Sequence, residues 1–145
     1  MQNQAPRPSH PSGQTSGTDQ RPPHELRDAV TVLDLLGEAD ALREEAAWAQ
    51  GDRNAKTYAK EADLRVVLTV LKQGATLREH QVPGTAIVHV LTGSLRLRVS
   101  GREVELPAGQ LVIIEANLPH DVEALEESAF VISIAWSGGP RGDAR

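Results

Sequence analysis

The chain has no cysteine among its 145 residues. A disulfide framework, a thiolate metal centre and a cysteine nucleophile are therefore excluded, and oxidising and reducing compartments are equally tolerable. Aromatic side chains are scarce: Trp48, Tyr58, Phe130 and Trp136 are the whole inventory. That disfavours sites built on ring stacking, as for sugars and nucleotides. There is no basic excess either, and a net charge of −5 argues against a nucleic-acid partner. No apolar run approaches the ~20 residues needed to span a bilayer, so no membrane partner is expected. The opening MQNQAPRPSHPSGQ lacks the apolar stretch of a secretory signal, so the expected location is cytoplasmic. A glycine-rich phosphate loop is missing. Ser94, Ser100, Ser128 and Ser133 fall in strand or turn contexts without a nucleophile-elbow pattern.

What is present divides into four segments. Residues 1–24 are Gln, Pro, Ser, Thr and Gly, with Pro6, Pro8, Pro11, Pro22 and Pro23 among them. Such a stretch buries too little surface to offset its ordering entropy and reads as a disordered tail, in which His10 and His24 are solvated. Residues 25–54 read as an N-terminal helical segment. Thr31 or Asp34 offers a cap, Leu35, Ala39, Leu42, Ala46 and Ala49 share a face, and Gly51 is the stop. Residues 55–137 switch to alternation, and 138–145 read as a flexible tail. The alternating part predicts strands near 56–60, 64–72, 76–80, 85–91, 94–100, 103–107, 110–114, 119–125 and 128–136, separated by Gly, Pro and Asn turns. Many short strands at this spacing predict an all-β antiparallel sandwich or barrel.

One hairpin is legible residue by residue. A two-residue turn at Ser100 and Gly101 sets Arg98 opposite Glu103, Arg96 opposite Glu105, Leu97 opposite Val104 and Leu95 opposite Leu106. One face is then ion-paired and wet, the other apolar and buried. Arg96 and Arg98 are accordingly expected in cross-strand pairs rather than in an anion site. The stretch Ala86 to Leu91 is apolar on both faces, as is Ala129 to Trp136. An antiparallel strand of that kind needs cover on both sides. The cover is expected from the N-terminal helix or from a second copy, which makes the expected state a homodimer.

The spacing within residues 55–136 resembles that of a small single-domain cupin, a double-stranded β-helix of the jelly-roll type. Gly74 is followed by five residues and then His80, matching the start of the family's first motif. The position of that motif's second histidine is Val82, and its glutamate position, counted back from Gly93, is Ala86. For the second motif, Gly109 leads through five residues to Glu115, Ala116 and Asn117, which stand for the family's Pro-x-Gly. His120 is in place, and the final asparagine has become Ala124. The resemblance implies a cupin jelly-roll barrel preceded by a short helix and a tail, with two of four metal ligands kept.

Within that frame His80 and His120 are the candidate ligands, one from each motif. Glu115, just before the loop that delivers His120, is the one replacement for a third metal ligand; Glu79, His89 and Asp121 have the wrong parity. The expected small-molecule pocket is lined by His80, Val82, Ala86, Val88, His120 and Val122. Two readings stand. The first is a module binding a small organic acid or carbonyl compound in the barrel without a full metal site, and hence without a certain cofactor. The second is a metal-dependent enzyme, dioxygenase- or isomerase-like, using a divalent metal (Fe, Mn, Ni or Zn) on a reduced set of His80, His120 and water, with Glu115 as the candidate third ligand.

Overall fold

A computed structural model describes residues 29–136 of the chain. The expected tails at 1–24 and 138–145, with His10 and His24, lie outside the described residues.

Helix α1 (Leu35–Leu42) starts where its cap residue dictates: the Asp34 side chain accepts the Gly37 amide at 3.2 Å. The expected continuous helix to Gly51 is instead two, with α2 spanning Ala46–Gln50. A long-range contact fixes the break. Asn54, fully buried, donates from Nδ2 to the Leu42 carbonyl at 2.9 Å and to Glu45 Oε1 at 3.0 Å. These bonds tie the end of α1 and the turn after it to the first strand.

Nine strands follow, all of those expected. They are β1 (Arg53–Lys60), β2 (Leu64–Leu71), β3 (Thr76–His80), β4 (Thr85–Thr92), β5 (Ser94–Val99), β6 (Arg102–Pro107), β7 (Leu111–Ile114), β8 (His120–Ala124) and β9 (Ser128–Ala135). They form a five-stranded sheet, β1-β2-β9-β4-β7, and a four-stranded sheet, β3-β8-β5-β6, with antiparallel neighbours. The architecture is an all-β jelly roll preceded by short helices. The core between the sheets holds Val88, Val90, Leu95, Leu97, Val122 and Phe130.

The β5–β6 hairpin has the expected register throughout. Ser100 (φ 51°) and Gly101 (φ 82°) both take the left-handed conformation that a two-residue turn of this twist demands. On its wet face Arg96 reaches Glu123 at 3.0 Å, Glu103 at 3.8 Å and Glu105 at 3.9 Å. Arg98 reaches Glu103 at 3.6 Å and Asp121 at 3.8 Å. Exposed pairs of this kind are worth under ~1 kcal/mol each.

The two-sided strands find their cover unevenly. Ala39 and Leu42 of α1 pack on Leu68, Val70, Ala129 and Val131, the outer face of β2 and β9. The outer face towards β7 lacks that cover: Leu111 is 50% and Ile113 64% exposed. Gly84 follows Pro83 in the loop between β3 and β4. Its φ is not positive; a Cβ there would stand 2.5 Å from the Ala135 carbonyl oxygen, so close backbone approach is what requires glycine. Among the described residues no helix is long and apolar enough to cross a membrane.

Asn54 is the stability test for this arrangement. Asn54→Ala removes both tethers and leaves a hole, and is expected to cost about 2–3 kcal/mol in urea unfolding. A loss below about 0.5 kcal/mol would show that the helices dock without this side chain.

Candidate functional site

His80 is the last residue of β3 and His120 the first of β8, and the register places them directly opposite one another. A regular ladder would not. Leu77 faces Val122, so counting on evenly would bring Glu79 to His120. One extra residue between Leu77 and His80 shifts the register and re-aims the strand end, so that the imidazole takes that place. The ring centroids are 4.5 Å apart with the planes at 56°. His120 is buried, whereas His80 is exposed.

Both rings are held in the same way. His80 Nδ1 lies 3.1 Å from the Arg78 carbonyl oxygen and His120 Nδ1 lies 3.0 Å from that of Leu118. A carbonyl oxygen only accepts, so each Nδ1 carries the hydrogen. In the neutral ring the lone pair is then on Nε2, ready to accept from a ligand or to bind a metal.

A third metal ligand is not brought to this pair. Among the described residues no group of three or more His, Cys, Asp or Glu is placed to hold a metal ion. Glu115, the expected replacement, is a correction: it is exposed, it follows β7 in the other sheet, and it lines a separate cleft. Val82 is partly buried against the core, and its carbonyl accepts the Asn117 amide at 2.7 Å, which ties the loop after β3 to the loop before β8. The donor set is two imidazoles, where a protein-held first-row metal usually has three or four protein ligands. The residues do not fit the four-ligand site of the family pattern.

Of the expected pocket residues, Ala86, Val88 and Val122 are 2%, 2% and 3% exposed and belong to the core cluster with Leu95, Leu97 and Phe130. His89 is half-buried on the opposite face, opposite Leu111, and Asp121 faces Arg98, as their parity requires.

An open volume lies one strand further along. A cleft of about 540 Å³ runs between the β6 edge of one sheet and the β7 edge of the other. Val99, Val104, Val112, Ile114 and Leu118 wall it, with Arg102 and Glu115 as its charged groups. Val99 is the cross-strand partner of His120 on one side and of Arg102 on the other. His80, His120, Val99 and Arg102 therefore form one row on one face of the sheet. Arg102 was missed in the sequence, although the hairpin register held the signal: it sets acids opposite Arg96 and Arg98 and a valine opposite Arg102.

Residues 67–135 match the family described as Cupin domain. A conserved protein of unknown function from Streptococcus pyogenes has a similar structure, with a TM-score of 0.65 and 20% identity, covering 83% of this chain and 100% of that one. A cupin 2 conserved barrel domain protein from Leptotrichia buccalis is 26% identical, with a TM-score of 0.58, over 60% of this chain and 42% of that one. An oxalate decarboxylase from Bacillus subtilis aligns with a TM-score of 0.54 and 20% identity over 58% of this chain and 25% of that one. A search of the curated proteins gave no match. The motif spacing, the two-sheet jelly roll and these matches lead to one conclusion: residues 67–135 of this chain form a cupin domain.

Proposed function

We propose that the protein binds a small organic acid or carbonyl compound at the barrel end where His80 and His120 meet, the imidazoles serving as hydrogen-bonding groups. The observation that carries this reading is the pair itself: two rings 4.5 Å apart, each with Nδ1 committed to a backbone carbonyl. Val82 and Ala86, apolar where the family pattern has ligands, support binding without a full metal site. The second reading keeps a divalent metal (iron, manganese, nickel or zinc) on His80 and His120 with water, in a dioxygenase- or isomerase-like enzyme. The orientation of the rings favours it, because an Nδ1–H bond to a carbonyl also prepares Nε2 for a metal.

Thermal unfolding against a panel of small organic acids and carbonyl compounds, with a chelator present, separates the two. At least one compound is expected to stabilise the protein, by about 2.7 kcal/mol at a hundredfold excess over Kd. That gain is expected to vanish in His80→Ala/His120→Ala. Stabilisation that requires added metal would favour the second reading, and a gain retained by the double variant would remove the histidines from the site.

We infer also that two copies pair through the outer face of β7. Leu111 and Ile113 are exposed there beside the half-buried Ile87, and α1 covers the opposite half of the same sheet. β7 is an edge strand, and a short apolar edge without cover invites a second chain. Sedimentation at micromolar concentration is expected to show a dimer, and Ile113→Lys a monomer. A monomeric parent protein would contradict this.

A further inference from the structure

We propose that the cleft between β6 and β7 is a second binding site, selective for a monocarboxylate with an aliphatic body, and that Arg102 is its anion anchor. It goes beyond the histidine reading, because Arg102 and Glu115 rather than the imidazoles set the charge selection.

Three observations lead there. The cleft volume of about 540 Å³ is that of a small-molecule site, and its walls are Val99, Val104, Val112, Ile114 and Leu118. Those walls match an aliphatic chain. Arg102 is the one cation among the cleft-lining residues. Its neighbours on the same hairpin are all engaged: Arg96 with Glu103, Glu105 and Glu123, and Arg98 with Glu103 and Asp121. Arg102 instead lies opposite Val99 and forms no ion pair among the described residues. A guanidinium beside an apolar wall presents a planar fork of donors matched to a carboxylate.

Glu115 refines the choice. It lines the same cleft from the end of β7 and does not pair with Arg102. A ligand with one carboxylate can place it on Arg102 and turn its apolar end to the walls. A second carboxylate would meet the negative charge of Glu115, and like-charge contact is how a site rejects a wrong ligand. The cleft thus favours a monocarboxylate over a dicarboxylate of equal length.

Isothermal titration of the full chain with hexanoate and with adipate, in the presence of chelator, tests this. Hexanoate is expected to bind more tightly than adipate. Arg102→Gln is expected to weaken hexanoate about tenfold or more, the effect of losing a hydrogen bond to a charged group. Glu115→Gln is expected to narrow the preference over adipate. Both Arg102 and Glu115 are exposed, so their variants should unfold at the parent midpoint. The proposal is overturned if hexanoate does not bind, if it binds Arg102→Gln as well as the parent, or if adipate binds equally. Loss of hexanoate binding in the histidine double variant would also overturn it, by placing the ligand at the imidazoles, and would leave the histidine reading standing.

Discussion

Burial of both faces of β9 is the constraint on which the rest depends. Phe130 points into the sandwich, while Ala129 and Val131 lie on the outer face under α1. Neither face can be left in water: a buried side chain of valine to phenylalanine size is worth about 1.5–3 kcal/mol. The outer face therefore requires the helix, and Asn54 holds the helix end where it can serve. The inner face requires the second sheet, and packing that sheet down fixes β3 and β8, whose ends carry His80 and His120. The five-stranded sheet is covered on one half by α1 and left apolar and exposed at β7.

The chemistry sits where the packing relaxes. The centre of the barrel is filled by aliphatic side chains and Phe130, so the residues best placed to meet a ligand are at its end and along its open edge. The bulge before His80 sets the imidazoles side by side in place of a glutamate and an imidazole. The same row continues through Val99 to Arg102, giving a polar end, an apolar middle and a cation on one face of one sheet. Val82 and Ala86 near the histidine pair are apolar, and the cleft beside them has aliphatic walls with Arg102 and Glu115 as its charged groups.

The legible parts of this were those governed by neighbours in sequence. Alternation is local, so all nine strands and the β5–β6 register were readable, including the partners of Arg96 and Arg98. Motif spacing brought out His80 and His120, which the structure does pair. The rest depended on contacts far apart in the chain. The helix break comes from Asn54, a residue beyond the helix; the need for Gly84 comes from Ala135, about fifty residues on. Glu115 was misplaced because sequence distance to His120 is not distance across a barrel. Ala86, Val88 and Val122 point inward as strand direction requires, and their depth of burial depends on partners from the other strands.

The central claim is that the barrel keeps its paired histidines without the ligand set that holds a metal. The most direct measurement is the metal content of the full chain and of His80→Ala/His120→Ala, each purified without affinity tag or chelator and analysed by mass spectrometry. The account predicts that the parent protein carries no near-stoichiometric iron, manganese, nickel or zinc that the double variant lacks. Near-stoichiometric metal in the parent, lost on removing the two histidines, would contradict it.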